Sequence, residues 1–230
     1  MSVKFVRALT GLALLTLSVW PAAAQRRTIR NVGPTRLGVF AGPAFGSMTG
    51  GGVIAVKSRT GLEAGAFVLA PLAEGMALRL GLSYVQKGVT DSLSTSYGVF
   101  EMNYVEFPVL LRFEALPGED VQLQGLAGFV FGFKSGCTFR VDSLTSPQTN
   151  VYNGACGGSG RKGAFDINHT DNSLLVGLTL TIAPRSALNY EITGTWQRSL
   201  QLVDPQVLPF DARNRVFGVT FGITYVVGGK

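Results

Sequence analysis

The chain has 230 residues with a formal net charge of +6, and only 15% of them are charged, whereas soluble domains average ~25%. Thirty residues are glycine and fifteen are phenylalanine, so something other than water is expected to cover much of the surface. The basic residues are scattered apart from the short segment QRRTIR at residues 25–30. A cluster of this length is typical of a solvated leader, and we expect no nucleic-acid partner.

The N-terminus has the three-part layout of a secretory signal peptide. Lys4 and Arg7 precede an apolar run that ends at Trp20, and small residues follow as far as Ala24. The run is short for a membrane-spanning helix of ~20 residues, so a membrane anchor is the weaker interpretation. We therefore expect three segments: a cleaved signal peptide (1–24), a short basic segment (25–35) and one exported domain (36–230).

The segment RVFGVTFGITYVV at residues 215–227 alternates large apolar residues with small ones. Bulky side chains occupy the odd positions from Phe217 to Tyr225, and the even positions between them hold only Gly or Thr. A period of two predicts a β-strand. The polar face of a soluble sheet would carry charges, so Gly and Thr favour a tight barrel lumen, with the bulky side chains facing lipid.

The same alternation predicts eight strands along the chain, at residues 36–45, 60–70, 76–87, 103–114, 121–133, 173–183, 187–198 and 215–227. Most have about the ~9 to 11 residues that a tilted strand needs to cross a bilayer. Short connections follow the second, fourth and sixth strands and longer ones follow the others. The sequence thus predicts an all-β fold, an eight-stranded antiparallel up-and-down transmembrane β-barrel with short periplasmic turns and longer extracellular loops, in the outer membrane. A soluble exported β-sandwich and a soluble ligand-binding barrel are the alternatives.

Two stretches, LSYVQKGV (82–89) and NYVEFPVLLRF (103–113), resemble the PorT-like outer-membrane β-barrel domain of Bacteroidetes-type bacteria. That family typically has a Y-x-Q-K-G strand end followed by a Y-[LV]-E-[IF]-P-L-L-L-[KR] strand. The resemblance extends over essentially the whole exported chain, and it implies an outer-membrane barrel without enzyme activity. Pro108 lies within the second motif, where it cannot donate a ladder hydrogen bond, so we expect a local bulge there.

Nearly all charges within the predicted strands fall on inward positions. The predicted lumen charge network has six members: Arg79, Lys87, Glu106, Arg112, Glu114 and Glu191. From the strand directions we expect Lys87 and Glu106 near the outer end and the other four near the periplasmic end. Mixed signs indicate pairing, since an isolated charge in a narrow lumen is costly. Eight strands favour a plug of paired charges over the selectivity constriction or proton path of a small solute channel.

Aromatic residues on the outward face predict the depth of the barrel in the membrane. Trp196, Phe133 and Phe217 are expected in the outer aromatic girdle and Tyr225 in the inner one. Outer-membrane lipid is therefore an expected partner of this face.

The single histidine, His169, lies in FDINHTDNS beside Asp166 and Asp171. A hydrolytic or metal site of an outer-membrane enzyme is conceivable there, but a lone histidine in a polar loop is more often solvated. The segment GACGGSGRKG lacks the strand-to-helix context of a phosphate-binding loop. We expect no catalytic site, no metal site and no cofactor.

The only cysteines, Cys137 and Cys156, lie in the long connection expected at residues 134–172. Export to an oxidising compartment, an even count and a segment rich in Gly, Ser and Asn predict a disulfide. A zinc site is the weaker interpretation, because two thiolates and one histidine do not make a ligand set. Loops carry the specificity of barrels, so we expect this one to contact an extracellular or envelope protein, on a monomer of structural or interaction type.

Overall fold

The structure, a computed structural model, describes residues 33–50, 56–93, 96–143, 152–156, 168–203 and 212–227. The expected signal peptide and almost all of the basic segment lie outside the described residues. The strands are β1 (Thr35–Thr49), β2 (Val56–Ala73), β3 (Met76–Leu93), β4 (Ser96–Leu116), β5 (Val121–Ser143), β6 (Tyr152–Ala155), β7 (Thr170–Ile182), β8 (Leu188–Ser199) and β9 (Arg213–Val227). Within these ranges no helix is long and apolar enough to span a bilayer.

Eight of these strands form a closed barrel in which every pairing is antiparallel. Neighbours along the chain pair from β1 to β5, β5 then pairs with β7, and β9 closes the barrel on β1. The short strand β6 adds to the outer part of β5, between Thr138 and Val141. Each of the eight predicted strands corresponds to one barrel strand, and the predicted fold class is confirmed.

The strands β2 to β5 are longer than predicted, with 18, 18, 21 and 23 residues. Only ~9 to 11 residues are needed to cross a bilayer, so these strands continue the sheet beyond it. The prediction of a long connection after the third strand is wrong, because β3 and β4 stay paired up to Leu93 and Ser96. The long connection expected from residue 134 is also shorter, because β5 continues to Ser143.

The turns at the end of the barrel opposite to the Leu93–Ser96 pair are short. Glu74 and Gly75 join β2 to β3, and Gly75 adopts a φ of 71°, a left-handed conformation that glycine takes without a Cβ clash. The connections 117–120 and 183–187 are also short. The first pair of β1 and β9, Thr35 and Val227, lies at this end as well. By the rule for outer-membrane barrels, this end is periplasmic.

The two faces of each strand have opposite chemistry. On β5, Phe129, Phe131 and Phe133 are 54%, 44% and 52% exposed on the outside, whereas Val130 between them is 1% exposed in the lumen. A band of exposed bulky side chains is typical of a surface covered by lipid. The lumen holds small apolar clusters, among them Leu110, Val130 and Leu175, together with many buried polar side chains.

The bulge expected at Pro108 is absent, and that prediction is wrong. The β3–β4 register is the same before and after this position, and Pro108 pairs directly with Val130 of β5. Gly81 lies opposite Pro108 on β3, where a Cβ would lie 2.9 Å from Cγ of the proline ring. The missing side chain leaves room for the ring, so the strands pass the proline without an inserted residue.

Candidate functional site

Lys87 is the centre of an ion-pair site in the outer half of the lumen. Its Nζ lies 2.6 Å from Oε1 of Glu106 and 2.7 Å from Oδ2 of Asp171. The three side chains come from β3, β4 and β7, and each is at most 3% exposed. Hydrogen bonds between ionised partners are about twice as strong as neutral ones. One ammonium group thus ties three strands together across the lumen.

Neutral side chains from two further strands add hydrogen bonds to this outer site. Gln197 of β8 donates to Oε1 of Glu106 over 3.0 Å and to the hydroxyl of Ser173 over 2.6 Å. Asn214 of β9 donates to Oδ2 of Asp171 over 3.1 Å. Buried carboxylates need such partners, because their remaining lone pairs are out of reach of bulk water.

An apolar cluster covers the outer site. Met102, Tyr104 and Val203 form it, and Met48, Cys137 and Cys156 pack against it. The ring centroid of Tyr104 lies 4.9 Å from Nζ of Lys87, so the cluster rests directly on the ammonium group. Val203 follows β8 in the chain, so the connection from β8 to β9 contributes to this cover.

The disulfide joins Cys137 to Cys156, with their Cα atoms 5.3 Å apart. Cys137 lies within β5, just beyond a register shift that inserts Ser135 beside Asn103 of β4. The hydroxyl of Ser135 donates to the carbonyl of Asn103 over 3.1 Å. One extra residue reverses the inside–outside alternation. Cys137 therefore pairs with the inward-facing Met102 and packs on the apolar cluster instead of pointing outward.

Arg112 forms a second ion-pair site in the inner half of the lumen. Its Nη1 lies 2.7 Å from Oε1 of Glu191, and its Nη2 donates to Oγ1 of Thr181 over 2.7 Å and to Oε1 of Gln124. A vestibule of about 260 Å³ lies at the periplasmic end, and its lining includes Arg112, Glu191 and Arg36. The inner site thus has one carboxylate, where the outer site has two, and it borders a space large enough for water.

Arg79 lies between the two sites without an ion pair to any carboxylate of the described residues. Its guanidinium carbon is 3.8 Å from the ring centroid of Phe67 and 5.1 Å from that of Phe40, a cation–π arrangement. Arg79 and Glu63 line a cavity of about 20 Å³, which is enough for about one water molecule. The middle of the lumen is therefore filled by side chains.

The structure divides the six predicted lumen charges into three groups. Lys87 with Glu106 and Arg112 with Glu191 form the two ion pairs, whereas Arg79 packs on aromatic rings. Glu114 is half-buried and lines the vestibule.

Sequence reasoning missed two lumen carboxylates. Asp171 lies two residues before Ser173, where the sixth predicted strand was expected to begin, and Glu63 lies within the predicted second strand. Both residues occupy inward positions. Extending the alternation by one step would have found Asp171, and applying it to every predicted strand would have found Glu63.

The four aromatic residues expected in the girdles all face outward: Phe133, Trp196, Phe217 and Tyr225. Trp196 pairs directly with Phe217 across β8 and β9, and Phe217 stacks on Phe45 with ring centroids 6.3 Å apart. Phe133 meets the ring of Phe107 edge-on at 5.9 Å. These positions agree with contact to lipid or to the lipid–water interface.

The surroundings of His169 do not assemble a hydrolytic triad from the described residues. The carbonyl of His169 accepts a hydrogen bond from the backbone N–H of Lys134 over 2.8 Å. The carboxylate of Asp171 is bound to Lys87 in the lumen, and Asp166 lies outside the described residues. In the part of the chain that the structure covers, no three His, Cys, Asp or Glu side chains are grouped as metal ligands.

A closed antiparallel barrel with an apolar exterior and a polar interior defines the class of integral outer-membrane β-barrel proteins. The chain matches the family model of the outer membrane protein beta-barrel domain over residues 23–192. It belongs to this family, and the protein is an outer-membrane barrel.

Several solved structures are similar to this chain. The attachment invasion locus protein Ail of Yersinia pestis has 13% identity and a TM-score of 0.41, with 84% of this chain and 100% of that chain covered. Neisserial surface protein A has 10% identity and a TM-score of 0.44, with 83% and 97% covered. OprG of Pseudomonas aeruginosa has 15% identity and a TM-score of 0.42, with 84% and 97% covered. No curated protein matches the chain.

Proposed function

We propose that this protein is a closed, non-conducting barrel without catalytic activity, and that its outer extension is a contact surface for another protein. The observation that supports the closed state is the Lys87 site, in which side chains of five strands meet across the lumen. An open pathway would require Lys87 to leave Glu106 and Asp171. Separating buried charges in this way costs several kcal/mol. The pairing of these carboxylates with a lysine also leaves them unsuited to act as a general acid and base.

Conductance in planar lipid bilayers tests the closed state. We expect the purified protein to give no stable single-channel steps, because the lumen is filled at both ion-pair sites. The matched variant is Lys87→Ala/Glu106→Ala/Asp171→Ala, which removes all three charges together and leaves no buried ion unpaired. Stable steps from the unchanged protein would overturn the proposal, and steps from the variant alone would identify the plug as the barrier.

The outer extension consists of the parts of β3, β4 and β5 beyond the lumen plug, together with β6. These segments form one continuous sheet, from the Leu93–Ser96 pair through Ser96–Ser143 to the Val141–Tyr152 pair. The disulfide fastens the end of β6 to β5. A sheet that is already ordered loses little entropy when it binds. Among the described strands, β6 is the last in the sheet and pairs only with β5. Its other edge can accept a strand of a partner.

Photo-cross-linking on intact cells tests this contact surface. A photoreactive amino acid at Asn153 of β6 is compared with the same group at Glu119 in a periplasmic turn. We expect a discrete cross-linked protein from position 153 and none from position 119. Equal labelling at both positions, or none at either, would refute the proposed surface.

Removal of the disulfide tests how the extension is held. We expect Cys137→Ser to leave the barrel assembled, because the disulfide lies outside the ion-pair sites, and to speed proteolytic cleavage within residues 134–172. A disulfide across 19 residues restrains the unfolded chain by roughly 3 kcal/mol in the entropic model. Cys156→Ser should behave in the same way. Unchanged cleavage in both variants would show that the bond does not order this segment.

We propose that the chain belongs to the PorT-like group. The two motifs that resemble this group contain charged residues of both lumen sites. The Y-x-Q-K-G motif contributes Lys87, and the second motif contributes Tyr104, Glu106 and Arg112. An alignment of outer-membrane barrels tests the assignment. We expect charges of these signs to occur together at positions 87, 106 and 112, and independent variation would count against a shared plug.

The absence of catalysis is tested by incubating the folded protein in detergent with peptide, phospholipid and acyl-ester substrates. We expect no turnover above that of heat-denatured protein. Turnover that is lost in His169→Ala would overturn the proposal and assign the chemistry to the loop around His169.

A further inference from the structure

We infer that three arginines at the outer end of β8 and β9 bind phosphate groups of lipids in the outer leaflet. The arginines are Arg198, Arg213 and Arg215. They lie on the outside of the barrel, so this site is separate from the lumen plug and from the outer extension. Its partner chemistry is a phosphate ester held at the membrane surface.

The alternation along both strands places these side chains on the outer face. Gln197 and Asn214, their sequence neighbours, point inward to Glu106 and Asp171. Arg198 is exposed, and Arg213 and Arg215 are half-buried. Arg198 and Arg215 pair directly across the two strands. Arg213 follows on the same face, two residues further along β9.

Two like charges directly opposite each other destabilise a sheet unless an anion lies between them. None of the described carboxylates forms an ion pair with any of these three arginines. The Nε atoms of Arg213 and Arg215 are buried and have no hydrogen-bond partner in the described structure. Buried N–H groups are almost always satisfied in proteins. The described residues therefore supply no hydrogen-bond acceptor for these two Nε–H groups.

The arginines begin where the apolar band ends. On β9 the outward side chains are apolar or aromatic from Val227 to Phe217, which are ten residues apart. This distance is ~33 Å along the strand and about 25 Å along the membrane normal at a tilt of ~40°, the height of the apolar band in such barrels. Arg215 is the next outward residue, so its guanidinium group lies at the level of the outer lipid headgroups.

Phosphate fits this cluster better than other headgroup chemistry. A guanidinium group matches two phosphate oxygens with two parallel N–H···O bonds. Arg198 and Arg215 pair directly across β8 and β9, so their Cβ atoms are about 5 Å apart and one phosphate can lie between the two side chains. A choline headgroup would bring its own cation to the cluster. The same chemistry would recognise a free phosphate ion, but only a lipid also places its acyl chains along Phe217 and Trp196.

Trp196 provides the signal for a binding experiment, because it pairs with Phe217 next to the cluster and is the only tryptophan after residue 24. Protein in neutral detergent micelles is titrated with dioctanoyl phosphatidic acid or dioctanoyl phosphatidylcholine. We expect a saturable fluorescence change with phosphatidic acid alone. Arg198→Gln/Arg215→Gln should weaken this binding about tenfold or more, since charge-assisted bonds to phosphate are lost.

The matched control is Arg185→Gln, which removes the same charge from the exposed Arg185–Glu119 pair at the periplasmic end and should leave the affinity unchanged. Equal affinity in the double variant would overturn the site. If an equal concentration of inorganic phosphate displaced the lipid, the cluster would be a site for free phosphate, and the lipid assignment would be wrong. Arginine-dependent binding of a sulfated oligosaccharide without lipid binding would refute the lipid assignment.

The thermal midpoint of unfolding gives a second readout that does not depend on fluorescence at the site. In phosphatidylcholine bilayers Arg198→Gln should raise the midpoint, because it removes the repulsion from Arg215. In bilayers that contain phosphatidic acid the same substitution should lower the midpoint, because it removes a phosphate contact. A shift of the same sign in both bilayers would contradict the inference.

Discussion

The lumen face and the lipid face of the same strands depend on different physical effects. Side chains in the lumen have specific partners, as Lys87 has in Glu106 and Asp171. Side chains on the outside, such as Phe131, need only be apolar, because lipid tails adapt to their shape. Stability should therefore respond sharply to small changes in the lumen and weakly to larger changes outside. Urea unfolding of the protein in phosphatidylcholine vesicles, monitored through Trp196, tests this comparison.

The largest effect is expected from Lys87→Met. It leaves Glu106 and Asp171 buried without a cation, which should lower the free energy of unfolding by about 3–5 kcal/mol. The matched control on the outer face of the same strand is Leu82→Met, which should change it by about 1 kcal/mol or less. Adding Glu106→Gln and Asp171→Asn to Lys87→Met should recover most of the loss. A loss smaller than that of Leu82→Met would show that the buried ion pairs do not stabilise the barrel more than the lipid face does.

A pair of glycines should give the next largest difference. A Cβ on Gly42, in the lumen, would overlap the carbonyl oxygen of Val219 and lie 2.8 Å from Cα of Thr220. Gly194 faces outward, and nothing lies within 4 Å of a Cβ placed there. We expect Gly42→Ala to cost about 3 kcal/mol because backbone must move, and Gly194→Ala to stabilise slightly by restricting the unfolded chain. Equal costs in the two variants would contradict the steric argument.

Arg112→Met separates the inner lumen site from the outer one. The substitution leaves Glu191 without its cation, but the vestibule beside it can supply water. We therefore expect a loss of about 1–3 kcal/mol, smaller than that of Lys87→Met. A loss equal to or greater than that of Lys87→Met would show that the vestibule does not hydrate the carboxylate.

Local alternation was sufficient to predict the barrel and the faces of its strands. The odd and even positions of β9 differ so clearly in size that one segment separated the lipid face from the lumen face. The same rule placed Lys87, Glu106, Arg112 and Glu191 inside, because side-chain direction in a strand depends only on parity. Parity does not determine which inward residues meet, since that depends on the register between strands that are distant in sequence.

Two features that the sequence did not predict depend on such register. Arg79 packs on Phe40 and Phe67 because the three residues meet across β1, β2 and β3, although its charge suggested a carboxylate partner. Ser135 reverses the alternation of β5 and turns Cys137 inward, and no turn residue marks that position. The outer parts of β3 to β5 were not predicted, because the alternation of large and small side chains in the lipid-covered segment does not continue beyond the bilayer.

Two neighbours on β5 give the smallest and most direct test of the comparison. Val130→Ala removes two carbon atoms from a fully buried lumen position beside Leu110 and Leu175, where surrounding side chains are held by the closed barrel. We expect a loss of about 1–2 kcal/mol from reduced burial and the cavity that remains. Phe131→Leu removes more atoms but faces lipid, which fills the space, so its cost should be about 0.5 kcal/mol or less. Both variants keep Trp196 and the ion pairs, so urea unfolding compares them under the same conditions. A larger loss for Phe131→Leu than for Val130→Ala would mean that specific packing on the outer face, and not the lumen, sets the stability of this part of the barrel.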